Sequence, residues 1–279
     1  MAADFDLHIH TTWCDGADAP EACVRAAIAK GFRAIGFSSH AMLPGRLLDW
    51  TLSPERAAAY AAEIRALAAA YDGRIRVLCG VEADFMHGGG ASPDCPAYDA
   101  ISPDYVIGSV HYVVSPDGVP RPVDKSPESL AQAVAEGFGG SAEAFIRAYF
   151  AQEREMLRHR FDIVGHADLV RKFNAKHSFF DESAAWYLSE LEATADAIAA
   201  SGKIVEVNAG AIARGWMDDA YPSAAFREML RARGARFVLS SDAHSAASVG
   251  GSFARFAACE RFLPLEEVLS RVCTRNGGI

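Results

Sequence analysis

The sequence predicts an α/β barrel in which parallel strands alternate with helices. Two observations carry this. Seven short apolar runs, near residues 5, 35, 77, 106, 163, 205 and 238, are separated by helical stretches. Six of those runs end in a residue able to ligate a metal, and the C-terminal strand end is where such barrels build their sites.

The elements follow in order. The first strand carries Phe5, Leu7 and Ile9 and ends in His8-Ile9-His10. Residues i and i+2 of a strand share a face, so both imidazoles can reach one ion. Asp15 follows on the turn. Residues 20–30 are helical in pattern and close at Gly31. The second strand leads to His40. Residues 54–71 form the next helix, with Ser53 as N-cap and Pro54 at its first position. The third and fourth strands lead to Glu82 and His111. Residues 141–159 read as a long helix capped by Ser141, and the fifth strand leads to His166. A helix over 181–201 closes at Gly202, and a short strand over 203–207 runs into Asn208. Residues 222–233 are helical and end at Gly234. The last strand, 236–240, precedes Ser241-Asp242-Ala243-His244.

Two regions break this rhythm. Residues 87–101 are rich in Gly, Pro and Asp, and 113–140 contain four prolines. Each follows a ligand-bearing strand and is too long for an ordinary connection. Both are expected to cover the site.

Taken singly, any of these histidines reads as a satisfied core residue. Six of nine at strand ends, beside Asp15, Glu82 and Asp242, read as a metal centre. His87, His159 and His177 lie in loop-like or helical surroundings and read as surface residues.

Composition narrows the rest. The 279 residues are 51% hydrophobic, enough for one core, so one domain over 1–279 is expected. The net charge is −9 and no Lys/Arg stripe stands out, which disfavours nucleic acid as a partner. A small anionic substrate stays open, because metal ions invert the local field. The six cysteines lack a CxxC spacing and read as free thiols in a reducing cytosol. Cys14, in the first metal loop, is an alternative ligand to Asp15. There is no signal-peptide pattern and no run approaching the ~20 apolar residues of a membrane span. A cytoplasmic protein without membrane attachment is expected, its oligomeric state open.

The motifs Asp-Leu-His-Ile-His-Thr, Gly-Phe-Ser-Ser-His, Gly-Val-Glu-Ala-Asp, Gly-Ser-Val-His-Tyr, Gly-His-Ala-Asp-Leu, Glu-Val-Asn-Ala-Gly and Ser-Ser-Asp-Ala-His occur in this order from Asp6 to His244. The series resembles the PHP (polymerase and histidinol phosphatase) superfamily. Within it, the chain is most similar to the histidinol-phosphate phosphatases, through Gly-Ser-Val-His-Tyr and the following Val-Asp-Lys-Ser-Pro-Glu. The resemblance implies a distorted seven-stranded (β/α) barrel, the PHP fold, with three divalent metal ions at its C-terminal mouth. His8, His10, Glu82 and Asp242 would hold one ion. Glu82, His111 and His166 would hold a second, Glu82 bridging. Asp15, His40 and His244 would hold a third. Mixed imidazole and carboxylate sets suit Zn, Mn or Fe.

The implied activity is a phosphomonoesterase on a small phosphorylated substrate, L-histidinol phosphate. A metal-bridging hydroxide would attack phosphorus in line. Asp242, His244 or a metal-bound water would protonate the leaving alkoxide. Arg171 and Arg214, with Lys172 beside them, are candidates to hold phosphate, or plain surface charges. Asn208 is a candidate to orient the substrate, or a turn residue. The competing readings are a phosphodiesterase acting on small cyclic or nucleotide phosphates, and a non-catalytic metal-binding module.

Overall fold

A computed structural model describes residues 3–41, 50–256 and 261–272. The strands are β1 (Phe5–Asp6), β2 (Ala34–His40), β3 (Arg76–Asp84), β4 (Tyr105–Ser109), β5 (Tyr112–Val114), β6 (Pro120–Pro122), β7 (Ile163–Val164), β8 (Ile204–Asn208) and β9 (Arg236–Ser240). Seven of them form one parallel sheet in the order β1-β2-β3-β4-β7-β8-β9. The sheet curls back on itself. Ile9 and Ala243 form a parallel bridge, His10 N–H donates to Ala243 O (2.8 Å), and Ala243 N–H donates to His8 O (3.1 Å). Below that bridge the buried Asp6 carboxylate staples the seam. It accepts from Ser241 N (3.2 Å), the Ser241 hydroxyl and Gly250 N (3.0 Å).

Alternation along each strand sends one face into the barrel and the other to the helices. Leu78, Tyr105, Ile107, Ile163, Ile204 and Val238 pack inside, while Val77, Val81, Val106, Val205 and Leu239 join the outer core. Tyr105 spans the interior, and its hydroxyl donates to Leu7 O (2.6 Å) and Phe37 O (3.1 Å). It fits because Gly36 and Gly80 face it. A Cβ at either would sit 2.4 Å from a Tyr105 atom.

The helices are α1 (Pro20–Ala29), α2 (Ala57–Ala70), α3 (Pro127–Gly137), α4 (Ala142–Met156), α5 (Asn174–His177), α6 (Ala185–Ser201), α7 (Gly210–Ala213), α8 (Ala224–Ala232) and α9 (Leu265–Val272). Ser141 caps α4 as expected, accepting from Ala144 N (3.1 Å). Other boundaries differ. Ser53 makes no capping hydrogen bond, and a short tight turn over Pro54–Arg56 precedes α2. The helix expected from 181 begins at Ala185, because Asp181 instead caps a turn through Ser183 N (2.8 Å). The first strand is cut short at Asp6, whose carboxylate accepts from His8 N (3.3 Å). Leu7 therefore stays inside the barrel while its neighbour His8 also turns inward.

Region 113–140 does border the site, through Pro122, Asp124 and Lys125, but it is not irregular. It forms the antiparallel β5–β6 hairpin and α3, which Ser126 caps through Ser129 N (3.1 Å). Helix α9 contributes Leu265, Val268 and Val272 to the interior core at the end opposite the histidines. No helix among the described residues is long and apolar enough to cross a membrane.

Candidate metal centre

The strand ends converge on Glu82, which is 1% exposed. Strand register places His40 on β2 directly beside it. One carboxylate oxygen, Oε2, faces His8 Nε2 (3.2 Å), His10 Nε2 (3.4 Å) and His40 Nδ1 (3.1 Å). The other, Oε1, faces His166 Nε2 (2.8 Å) and His111 Nε2 (3.4 Å), and accepts from Ser109 Oγ (2.7 Å). Asp242 Oδ1 lies 3.3 Å from His10 Nε2 and 3.7 Å from His8 Nε2. Asp15 closes the outer side, with Oδ2 at 3.2 Å from His244 Nε2 and 3.8 Å from His40 Nε2. All nine expected ligands are thus brought to one mouth.

The donor set fits cations. Ligand atoms about 2.0–2.2 Å from one ion, at tetrahedral or octahedral angles, lie about 3–3.5 Å apart, which is the spacing seen. His8 Nε2, His10 Nε2, His40 Nδ1 and Glu82 Oε2 are buried without a hydrogen-bond partner. Orphaned polar atoms are expensive, and four aimed at one another are explained by shared ions. Among the described residues, three groups have donor atoms within 4.8 Å: His8, His10 and Glu82; His10, Asp15, His40 and His244; and His40, Glu82 and His111.

Electrostatics agree. Against the downward pull of burial, Glu206, Glu82 and Asp242 lift His8 well above the usual imidazole value. His111 is likewise lifted to about 10, by Asp84 and Glu82. Burial pushes Glu82 up, yet the surrounding histidines hold it well below the carboxylate range. His40 falls, to about 3, through burial and its neighbours His10 and His111. The carboxylates therefore call for positive charge here, which divalent ions supply while leaving the imidazoles neutral.

Behind the ligands stands a set that sequence reasoning missed. His8 Nδ1 donates to Glu206 Oε2 (2.8 Å), and His111 Nδ1 donates to Asp84 Oδ1 (2.9 Å). Such bonds fix which ring nitrogen faces the ion. The available signal was an acidic residue on the inward parity of a buried strand, as with Glu206 in Ile-Val-Glu-Val-Asn. Asn208, expected at the substrate, is fully buried. Its Nδ2 donates to Glu206 Oε1 (2.9 Å) and its Oδ1 accepts from Gly210 N (2.9 Å). It orients Glu206. Cys14 Sγ lies 3.5 Å from His10 Nδ1, on the ring edge away from Glu82 and Asp242.

A cavity of about 540 Å³ opens over the centre. Glu82, His111 and His166 are at its floor, and Trp50, Tyr112, Asp124, Lys172 and Arg214 line its walls. Arg214 donates to Asp242 Oδ2 (2.8 Å) and Asp242 O (3.0 Å). Gly210 permits this contact, since a Cβ there would lie 2.8 Å from Arg214 Nη2 and 2.9 Å from Asp242 Oδ2. Asp242 itself has φ +50°, a strained left-handed geometry of the kind that clusters at functional sites. Arg171 does not line the cavity. It is held by Glu182 (3.0 Å) and Ala220 O (3.3 Å) beside the buried Asp168, because the short turn after His166 points it outward. Region 87–101 contributes no cavity residue and packs on α4, where His87 Nδ1 donates to Glu155 Oε2 (2.6 Å). His159, expected at the surface, pairs with Asp94 (3.1 Å).

Comparison with known proteins agrees with this picture. The family model described as the PHP domain matches residues 6–210. A relative from Deinococcus radiodurans, named "Probable histidinol-phosphatase", is 32% identical over 256 residues, covering 89% of each chain. One of the same name from Schizosaccharomyces pombe is 29% identical, covering 82% of this chain and 76% of its own. Among solved structures, a Listeria monocytogenes protein superposes with a TM-score of 0.78 at 19% identity, covering 91% of this chain and 100% of its own. The Lactococcus lactis histidinol phosphate phosphatase, complexed with Zn, L-histidinol and phosphate, gives 0.62 at 20% identity, covering 93% and 95%. At these identities the two structures establish the shared barrel fold.

Proposed function

The chain belongs to the PHP domain family, and on that premise we propose that it is a metal-dependent phosphomonoesterase hydrolysing L-histidinol phosphate to L-histidinol and phosphate. The observation that carries this is the convergence of eight further imidazole and carboxylate ligands around Glu82 beneath an open cavity. The 32% relative of near-equal length, named for this activity, supports the substrate.

We assign three divalent ions of the Zn, Mn or Fe class. His8, His10, Glu82 and Asp242 would hold one, Glu82, His111 and His166 the second, and Asp15, His40 and His244 the third. Bound ions of this kind neutralise phosphoryl oxygens and ionise water near neutral pH. The protein's own residues do the rest. Glu82 turns one oxygen to each of two histidine sets and so fixes their separation. Arg214 holds Asp242 in place and presents its guanidinium to the cavity, where it meets phosphate oxygens. The leaving alkoxide needs a proton; His244, at the mouth, is the candidate to supply it, since Asp242 is held ionised by its pairing with Arg214.

The test is a substrate screen on metal-reconstituted enzyme. Phosphate release from L-histidinol phosphate, with cyclic and dinucleotide diesters inert, is the expected result. Faster cleavage of diesters would replace this reading with a phosphodiesterase. Full metal loading without any turnover would leave a binding module.

A further inference from the structure

Among the described residues, three of the four carboxylates lining the cavity, Asp15, Glu82 and Asp242, face the histidine nitrogens. The fourth, Asp124, does not. It follows β6, and Val123 N–H donates to His111 O (2.9 Å), which brings Asp124 to the exit of β4 beside the centre. Lys172 donates to Asp124 Oδ2 (2.9 Å) and to Asp124 O (3.0 Å). Among the described residues Asp124 Oδ1 has no partner, and the side chain is 29% exposed to the cavity. The Lys172 ammonium beside it keeps the carboxylate ionised.

The proposed substrate sets a problem that this carboxylate solves. L-Histidinol phosphate carries its ammonium on the carbon next to the one bearing the phosphate ester. Once the phosphate sits on cations, that ammonium stands close to them and is repelled. A recognising site therefore needs a nearby anion that no metal occupies. Trp50 and Tyr112 form an adjoining wall, their rings stacked at 6.3 Å and 21°, against which a flat imidazole can lie.

Resting on the substrate reading above, we infer that Asp124, braced by Lys172, is the specificity-determining residue that receives the substrate's ammonium. The metals and Arg214 hold the phosphate of any monoester. Asp124 selects those that carry an adjacent amine.

The experiment compares L-histidinol phosphate with its desamino analogue, 3-(imidazol-4-yl)propyl phosphate, on wild type, Asp124→Asn and Asp124→Glu. Metal content is measured for each. Wild type should prefer the amine. Asp124→Asn should lower kcat/KM for L-histidinol phosphate about ten- to a hundredfold, mainly through KM, as expected for a lost charge-assisted hydrogen bond. The desamino ester should stay within about threefold, and Asp124→Glu should recover part of the preference. A fall for both esters in both variants would mean a merely structural pair with Lys172 and would overturn the inference. So would a preference that survives in Asp124→Asn. If wild type cleaves an aryl phosphate but neither imidazole ester, the substrate reading itself fails and takes this inference with it.

Discussion

Replacing Glu206 by glutamine should weaken metal binding without touching a ligand. Glu206 is fully buried. Its Oε2 accepts from His8 Nδ1 (2.8 Å), and its Oε1 accepts from His166 N (2.8 Å) and Asn208 Nδ2 (2.9 Å). Glutamine has one acceptor oxygen. If that oxygen serves the two-donor side, the amide NH2 faces His8 Nδ1, which must give up its proton. The proton then moves to Nε2, the atom facing Glu82 and Asp242. A protonated Nε2 cannot ligate. If the amide flips, its NH2 confronts two donors instead. Loss of such a supporting partner lowers metal affinity or activity by about 10–100-fold, about 1.4–2.8 kcal/mol. The assay equilibrates wild type and Glu206→Gln with metal buffered by a competing chelator, and measures bound metal and phosphate release in the same samples. Affinity and turnover should fall together and recover at high metal. A folded variant with wild-type affinity would refute the tautomer argument.

Four further outcomes are expected. Glu82→Gln keeps shape but removes the charge facing two histidine sets, so metal analysis should show losses at two sites and phosphate release should cease. Arg214→Ala should raise KM for phosphate esters about ten- to a hundredfold. Arg171→Ala should leave KM unchanged but destabilise by about 3 kcal/mol, read as a lower midpoint in denaturant, because Asp168 and Glu182 lose their cation. Glu153, fully buried on α4 with one oxygen unpartnered, is pushed by burial from the usual 4.5 up to about 8. The folded state binds its proton more tightly than the unfolded chain, so this group's stabilisation is complete below about 4.5 and is lost as pH rises towards 8. Glu153→Gln should flatten the fall in Tm between those pH values, and an unchanged slope would contradict the assignment.

The barrel and its metal mouth were legible because they depend on periodicity. Buried parallel strands are continuous apolar runs, and His40, Glu82, His111, His166 and Asp242 each stand where such a run ends. What lay off that pattern was missed. Four prolines, at 116, 120, 122 and 127, suggested irregular chain over 113–140. Yet Pro is tolerated on edge strands, and Ser126-Pro127 is a helix start. Helix α9 went unseen because its apolar face fills the barrel's lower end rather than an outer groove. Arg171 and Arg214 look alike in sequence, each shortly past a strand end. A short turn sends one into Glu182, and the close approach at Gly210 sends the other to Asp242. Glu206 was passed over because an acidic residue inside a strand has no meaning until its partner, His8, is brought across the barrel.

On the proposed function, this centre hydrolyses L-histidinol phosphate only when its cations are in place. The most direct measurement titrates chelator-stripped protein with Mn, Zn or Fe and records phosphate release against metal equivalents bound per chain. No release without metal, and a plateau as the third equivalent binds, are expected. Release that persists after stripping, or a plateau at one equivalent, would contradict it.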